Sequence, residues 1–294
     1  MLDEKKLIQS MEGISEKELT RFRDFVESHS LKQIEYSGKS IEYMICGQGP
    51  KVILTFAGGW GPPHILYDTI LGFEKTNRMV IIDISPFADT ESMCQGVDWI
   101  LEKEKIDHMI LMGQSFTGII AQIYFRKRFK RVDGMVLTNT LSPKAERCKK
   151  WVLVLIHLLP LSIFKPLIKK KMGKLSEFEK PVSEEIMERR KFSAALLANT
   201  MDQYFSPGVF RNTISLAFKF NEKNEYKQDE FNNWKGQVLL ITSEDEPYYP
   251  DAEKLSQTLP HSIVYKLPSG YGHVSPLIHK EEFHTTIQQF IDKL

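Results

Sequence analysis

The chain has 294 residues, 42% of them hydrophobic and 26% charged, with a formal net charge of +1. That composition belongs to a globular chain with material for a sizeable core, and the length fits one α/β domain carrying an insertion. The near-neutral balance excludes a global field that would draw in nucleic acid or an acidic membrane.

Residues 1–31 read as a helical N-terminal extension. Its first 12 residues are charged and lack the apolar stretch of a signal peptide. Ser15 is placed to cap a helix in which Leu19, Phe22, Phe25 and Val26 recur at helical spacing. Beyond residue 31 the period shortens to two. Residues 33–36 and 41–45 alternate about Ser37-Gly38-Lys39, which predicts a β-hairpin. Residues 51–56 read as a buried strand, 57–63 as a tight glycine loop, 67–73 as a helix and 79–83 as a second buried strand. An amphipathic helix over 93–105 follows, with Val97, Ile100 and Leu101 on one side. Residues 108–112 give a third buried strand, 118–128 a helix and 134–138 a fourth strand. Strands over 237–242 and 262–267 and an amphipathic helix over 283–294 close the chain.

Strands alternating with helices predict a mostly parallel sheet with helices on both faces. Apolar runs without alternation are what a sheet covered on both faces needs. Residues 143–234 show no strand pattern, so they read as a helical cap inserted between two sheet strands. The predicted organisation is an extension over 1–31, a core from 32–142 and 235–294, and a cap over 143–234. Within the cap, 151–168 is apolar but holds His157, Pro160, Lys165 and Pro166. It reads as two short, proline-interrupted helices and not as a membrane span. Lys165, Lys169, Lys170, Lys171 and Lys174 form a basic run, read as a solvated helix face.

Cys46, Cys94 and Cys148 are too few and too scattered for a disulfide framework or a metal site, and they fit a reducing, cytoplasmic compartment. No phosphate-cradling glycine loop and no dinucleotide fingerprint occur. The sequence therefore implies no metal and no organic cofactor. The expected partner is a small-molecule substrate, with no nucleic acid and no stable membrane insertion. Nothing in the residues signals an oligomeric state.

The hexapeptide Gly113-Gln114-Ser115-Phe116-Thr117-Gly118 follows a buried strand and precedes a helix. A serine in a strand–Gly-x-Ser-x-Gly–helix arrangement sits on a sharp turn above the sheet with its hydroxyl exposed. Thr117 stands where the second glycine usually falls, and Gly118 comes one residue later. His273 lies in the loop 269–276, after the last strand, where an imidazole could take and return the serine proton. His108 opens a strand at the opposite edge. His29, His157, His261, His279 and His284 read as surface or packing residues, and His64 as a pocket-lining one. An acid to orient the imidazole should come from 243–250, where Glu244, Asp245 and Glu246 follow one another and periodicity does not separate them. In Ala57-Gly58-Gly59-Trp60-Gly61, the N–H of Gly59 or of Trp60 could join that of Phe116 around an oxyanion.

Together these residues resemble the α/β-hydrolase superfamily, whose chain order is serine, acid, histidine. The resemblance runs over about residues 31–142 and 234–294. It implies a helical cap over the intervening segment and gives the first oxyanion donor to Gly59. Laid on the family's Gly-x-x-Asp-x-x-x-Pro pattern, Ser243 takes the glycine, Glu246 the aspartate and Pro250 the proline. Glu246 is thus the first choice of acid and Asp245 the second. The serine excludes the branch with an aspartate nucleophile. The resemblance implies a serine hydrolase working through an acyl-enzyme on Ser115, and the apolar first half of the cap, from Trp151 to Phe164, points to small or medium, apolar carboxylic esters, thioesters or lactones as substrates. Trp60, His64, Trp151 and Leu155 are the expected substrate contacts. Two alternatives stand beside it. One is a proline iminopeptidase-like aminopeptidase, with Glu177, Glu179, Glu184 and Glu185 available for a substrate amine. The other is a ligand-binding protein that keeps the fold without catalysis.

Overall fold

The structure is a computed structural model, which describes residues 14–57, 61–143, 158–175, 177–178, 180–220, 225–227, 230–231 and 233–294. Helix α1 (Glu16–Ser28) begins where Ser15 Oγ accepts the N–H of Glu18 at 3.4 Å, with Glu16 and Glu18 favourably placed in the first turn. Strands β1 (Lys32–Tyr36) and β2 (Lys39–Cys46) are joined by Ser37 and Gly38 alone. Both turn residues have positive φ, 48° and 72°, the backbone that lets a two-residue loop follow the strand twist. Then come β3 (Val52–Ala57), α2 (Tyr67–Phe73), β4 (Arg78–Asp83), α3 (Thr90–Lys103), β5 (Met109–Gln114), α4 (Phe116–Arg128) and β6 (Val132–Thr138). Helices α5 (Leu161–Leu175), α6 (Glu184–Tyr204) and α7 (Pro207–Lys219) separate β6 from β7 (Gln237–Thr242). The chain ends with α8 (Tyr249–Thr258), β8 (Ser262–Lys266) and α9 (Lys280–Ile291).

Two helices differ from their sequence patterns for visible reasons. Helix α3 starts at Thr90 because Asp89 Oδ1 accepts the N–H groups of Glu91 and Ser92 at 3.1 and 2.8 Å. Helix α5 runs straight through Pro166, where a break was expected. Pro166 and Ser162, one turn earlier, both lie on the exposed face, so water can serve the carbonyl that loses its donor. The other half of that predicted pair of helices, 151–157, lies outside the described residues. Among the described residues, no helix is long and apolar enough to cross a membrane.

The eight strands form one sheet in the order β1-β2-β4-β3-β5-β6-β7-β8. Only β1–β2 and β2–β4 pair antiparallel; the remaining pairs are parallel. Successive side chains of the central strands go to opposite faces, although both faces are apolar. Leu54, Phe56, Val80, Ile82 and Leu111 meet Val97, Ile100, Tyr124 and Phe125 of α3 and α4. Ile53, Met79, Ile81, Ile110 and Met112 meet Phe22, Phe25, Ile70, Phe73 and Ile287 of α1, α2 and α9. The chain leaves β3 toward β4 and returns to β5 on the other side of β3. Loops at the carboxyl ends of β3 and β5 therefore diverge, which opens a crevice there.

Candidate active site

Ser115 occupies the single residue between β5 and α4, with φ 52° and ψ −118°. A side chain there costs about 1–3 kcal/mol of backbone strain, so neighbours must hold it. They do so through both of its backbone polar groups. Its N–H donates to Thr138 O at 2.9 Å, and its carbonyl accepts from Thr140 Oγ1 at 2.6 Å. Gly113 lets strand and helix close up: a Cβ there would fall 2.6 Å from both Gly118 Cα and Thr117 O. A Cβ on Gly118 would fall 2.4 Å from Thr140 Oγ1. Gly118 thus supplies the close approach, while Thr117 folds back on the turn. Its Oγ1 donates to Gln114 O and accepts from Gln114 N–H, both at 2.9 Å. Phe116 opens α4, so its N–H lies in the first turn, where no intrahelical acceptor exists.

At the same edge, β7 and β8 deliver an acid and a histidine. His273 Nδ1 lies 2.9 and 3.0 Å from the two carboxylate oxygens of Glu246, whose side chain is wholly buried. An ionised carboxylate only accepts, so Nδ1 carries the proton and Nε2 keeps its lone pair. Glu246 Oε1 also accepts the N–H of Tyr248 at 3.2 Å, and the Tyr248 ring stands edge-on to the imidazole at 5.7 Å. Asp245 faces the other way. Its Oδ2 accepts the N–H groups of Gly270 and Gly272 at 2.8 and 2.7 Å. Burial pushes its carboxyl up, but those backbone donors outweigh it and hold the group below its ordinary range. One acid touches the imidazole, and its neighbour shapes the loop that carries it. Ser275 Oγ closes that loop by donating to Gly272 O at 2.7 Å.

The serine turn and the histidine loop are tied through β6. Asn139 follows Thr138, the acceptor of the Ser115 N–H. Its own N–H donates to Ile241 O at 3.0 Å and its Nδ2 to His273 O at 3.1 Å. Its φ of 44° is a conformation asparagine tolerates better than most residues.

A second network was not anticipated from the sequence. Asp83 ends β4 and is buried. Its Oδ1 accepts Ser85 N–H at 2.8 Å, and its Oδ2 accepts Ser85 Oγ at 3.0 Å and the Tyr204 hydroxyl of α6 at 2.5 Å. Asn212 of α7 donates to Ser85 O at 2.8 Å. Burial pushes the Asp83 carboxyl up to about 6, the Tyr204 and Ser85 donors offsetting part of the rise. The only local signal was an aspartate and a serine, two residues apart, at the end of an apolar strand.

Gly59, Trp60, Trp151, Leu155, His157 and Glu179 lie outside the described residues. His64, expected to line a pocket, is instead 2% exposed beneath the end of α1. Its Nε2 is 3.1 Å from His29 O, and its ring stands edge-on to Phe25. His108 pairs with Asp133 at 2.9 Å, at the amino end of β5. Glu185 is exposed and pairs with Lys17 and Arg189. Lys165 and Lys169 of the basic run both pair with Asp202.

Neither a protein-family model nor a curated protein matches the chain. Solved structures do match it in shape. A thermophilic esterase from Thermogutta terrifontis superposes with a TM-score of 0.70 at 15% identity, over 90% of this chain and 98% of the esterase. The enol-lactonase from Burkholderia xenovorans LB400 gives 0.67 at 15% identity, over 89% and 100%. An esterase from Exiguobacterium antarcticum gives 0.67 at 16% identity, over 89% and 99%. The chain has the α/β-hydrolase fold.

Proposed function

We propose that the protein is a serine hydrolase of small or medium, apolar carboxylic esters, thioesters or lactones. The observation that carries this is the buried His273–Glu246 contact of 2.9 Å, at the same sheet edge as the strained Ser115 turn. Glu246 keeps the proton on Nδ1, which leaves Nε2 to accept the Ser115 proton as Oγ attacks the substrate carbonyl. The oxyanion accepts from the N–H of Phe116, favoured by the α4 dipole, and from that of Gly59, with Trp60 the alternative donor. The bond to the leaving group then breaks, and His273 returns the proton to it. Water attacks the acyl-enzyme, gives a proton to His273 and frees the acid, and that proton goes back to Ser115 Oγ.

In this reading α5, α6 and α7 form a cap over the site. Tyr204 and Asn212 anchor it to the end of β4, and Lys180 Nζ donates to Ser269 O at 2.5 Å. Helix α5 packs on the Gly272–Val274 turn that carries His273. A cavity of about 320 Å³ between α5 and α6 is lined by Met187, Leu197 and Met201 together with Lys169, Arg190 and Lys191. A cytoplasmic location goes with the free thiols of Cys46 and Cys94.

A fluorophosphonate probe should label the wild type at Ser115 and leave folded Ser115→Ala unlabelled. That variant should lose about 10⁴-fold or more of its turnover. A folded wild type that takes no label refutes the proposal and leaves a ligand-binding protein. Nitrophenyl esters of increasing acyl length should be turned over increasingly well; indifference to length would remove the apolar-substrate assignment.

A further inference from the structure

On the opposite edge of the sheet, three metal-ligating side chains converge. His29 caps the end of α1, Cys46 is the last residue of β2, and Glu74 caps the end of α2. Cys46 pairs with Met79 at the start of β4, so the cluster sits at the amino ends of the parallel strands, away from Ser115. His29 Nε2 lies 2.7 Å from Glu74 Oε2, and one ligand atom from each of the three residues lies within 4.8 Å of the others. Among the described residues no other group of three His, Cys, Asp or Glu side chains meets that spacing. We propose that His29 Nε2, Cys46 Sγ and a Glu74 carboxylate oxygen bind a borderline-soft divalent cation, zinc foremost.

The surroundings orient His29 and Glu74, whereas burial and the Glu74 carboxylate push the Cys46 thiol up to about 12, so the cation itself must displace that proton. His29 Nδ1 lies 2.9 Å from both Ser28 Oγ and Phe25 O, the latter able only to accept, so Nδ1 donates there and Nε2 faces Glu74. A ligating histidine is ordinarily oriented by such a bond from its second nitrogen. The ring also stacks on Phe25, at 4.1 Å between centroids and 20° between planes. Gly47, with φ +74°, brings the chain after Cys46 against the end of α2: a Cβ there would fall 2.5 Å from Glu74 O. Side-chain exposure is only 11% for His29 and 17% for Glu74, which limits competition from water.

The geometry requires little adjustment. A tetrahedral zinc, with bonds of about 2.1 Å to nitrogen and oxygen and about 2.3 Å to sulfur, sets its ligand atoms roughly 3.3–3.6 Å apart. The His29–Glu74 contact opens by about 0.6 Å, and the thiolate closes in. The proton shared between His29 and Glu74 and the thiol proton of Cys46 leave to solvent, and a water completes the fourth position. Nitrogen, sulfur and oxygen donors together favour zinc over magnesium or calcium. No spacing motif could announce this site, because residues 29, 46 and 74 come from three separate elements. Its consequence is structural: the cation pins α1 to the sheet.

Chelator-stripped full-length protein, titrated with cobalt(II), tests the site without reference to hydrolysis. The wild type should develop a sulfur-to-cobalt charge-transfer band at one equivalent, and zinc should abolish it. Cys46→Ser should lose the band, and Cys94→Ser should keep it. His29→Gln should weaken zinc binding at least about tenfold. Zinc should raise the melting temperature of the wild type and not that of Cys46→Ser. A stripped wild type that shows neither band nor zinc-dependent stabilisation overturns the proposal, as does a band that survives in Cys46→Ser. The cluster is then only a His–Glu ion pair beside a thiol.

Discussion

Asp83 gives the fold a measurable dependence on pH. Burial lifts its carboxyl from an ordinary 3.8 to about 6, with the Tyr204 and Ser85 donors holding the rise in check. Each tenfold change in proton affinity is worth about 1.4 kcal/mol, so the difference between folded and unfolded chain is on the order of 3 kcal/mol. The side chain is almost fully buried, at 4% exposure, so solvent screening takes little from that figure. Below about pH 4 the group is protonated in both states and imposes no cost. Between about pH 4 and 6 the unfolded chain releases the proton while the folded chain retains it, so stability falls as pH rises. Above the folded value the full cost is present. Asp83→Asn keeps the shape and an acceptor but cannot ionise, so any change it makes in hydrogen bonding is a constant offset. Urea unfolding of both proteins from pH 4 to pH 8 reads the effect. The variant should gain about 3 kcal/mol on the wild type across the range, most of it by about pH 7. A difference that stays flat would show that Asp83 titrates alike in both states and would refute the assignment.

Three further changes probe the serine turn and the histidine loop. Glu246→Gln should lower kcat for a nitrophenyl ester by roughly 10³–10⁴-fold, because an amide can hold the imidazole in the wrong tautomer. Asp245→Asn keeps an acceptor for Gly270 and Gly272, so it should stay within about tenfold of wild-type kcat and lower the melting temperature. Equal losses from the two would contradict the division of labour. Gly118→Ala drives a methyl to 2.4 Å from Thr140 Oγ1 and should cost about 1–3 kcal/mol in urea unfolding; unchanged stability would mean the helix can slide. Asn139→Gly preserves the left-handed backbone and removes only the bond to His273 O, so it should fold normally with reduced kcat and unaltered KM. Asn139→Ala should cost about 1 kcal/mol more in stability than the glycine variant.

What the sequence discloses follows the reach of each physical signal. Apolar runs mark every strand from β3 to β7, because a strand buried on both faces has no polar alternative, whereas β8 is an edge strand whose Ile263 and Val264 stay exposed. Ser115 and His273 announce themselves by place, one between a strand and a helix and the other after the last strand. Asp245 and Glu246 defeat that logic. They are adjacent on a turn, where neither helical nor strand periodicity assigns a direction. Only the family pattern ranks Glu246 first, and the structure gives the physical reason, since the 270–272 backbone offers Asp245 two N–H donors and leaves Glu246 the imidazole. Thr117 shows how a departure from a motif can be absorbed. Its hydroxyl bonds both backbone polar groups of Gln114, while Gly118 takes over the close contact. Pro166 misleads because a ring without an N–H reads as a helix stop, whereas an exposed carbonyl can turn to water.

The least legible features are those that join distant residues through buried polar atoms. Tyr204 and Asp83 are 121 residues apart, and neither is unusual where it stands. Yet a carboxylate buried at the end of β4 is costly with Ser85 as its only donor, and a helix arriving without a hydroxyl would leave it so. The tyrosine therefore does more than pack. It makes the position of α6 over the sheet edge a condition of burying Asp83, and Asn212 repeats the constraint for α7 through Ser85 O. Tyr204→Phe separates this anchoring from simple hydrophobic contact, since it keeps the ring and deletes the donor. If the hydroxyl holds α6 in place, the Asp83 carboxyl rises further in that variant. The upper end of the pH window of lost stability then rises by the same amount, while its lower end, set by the unfolded chain, stays where it is.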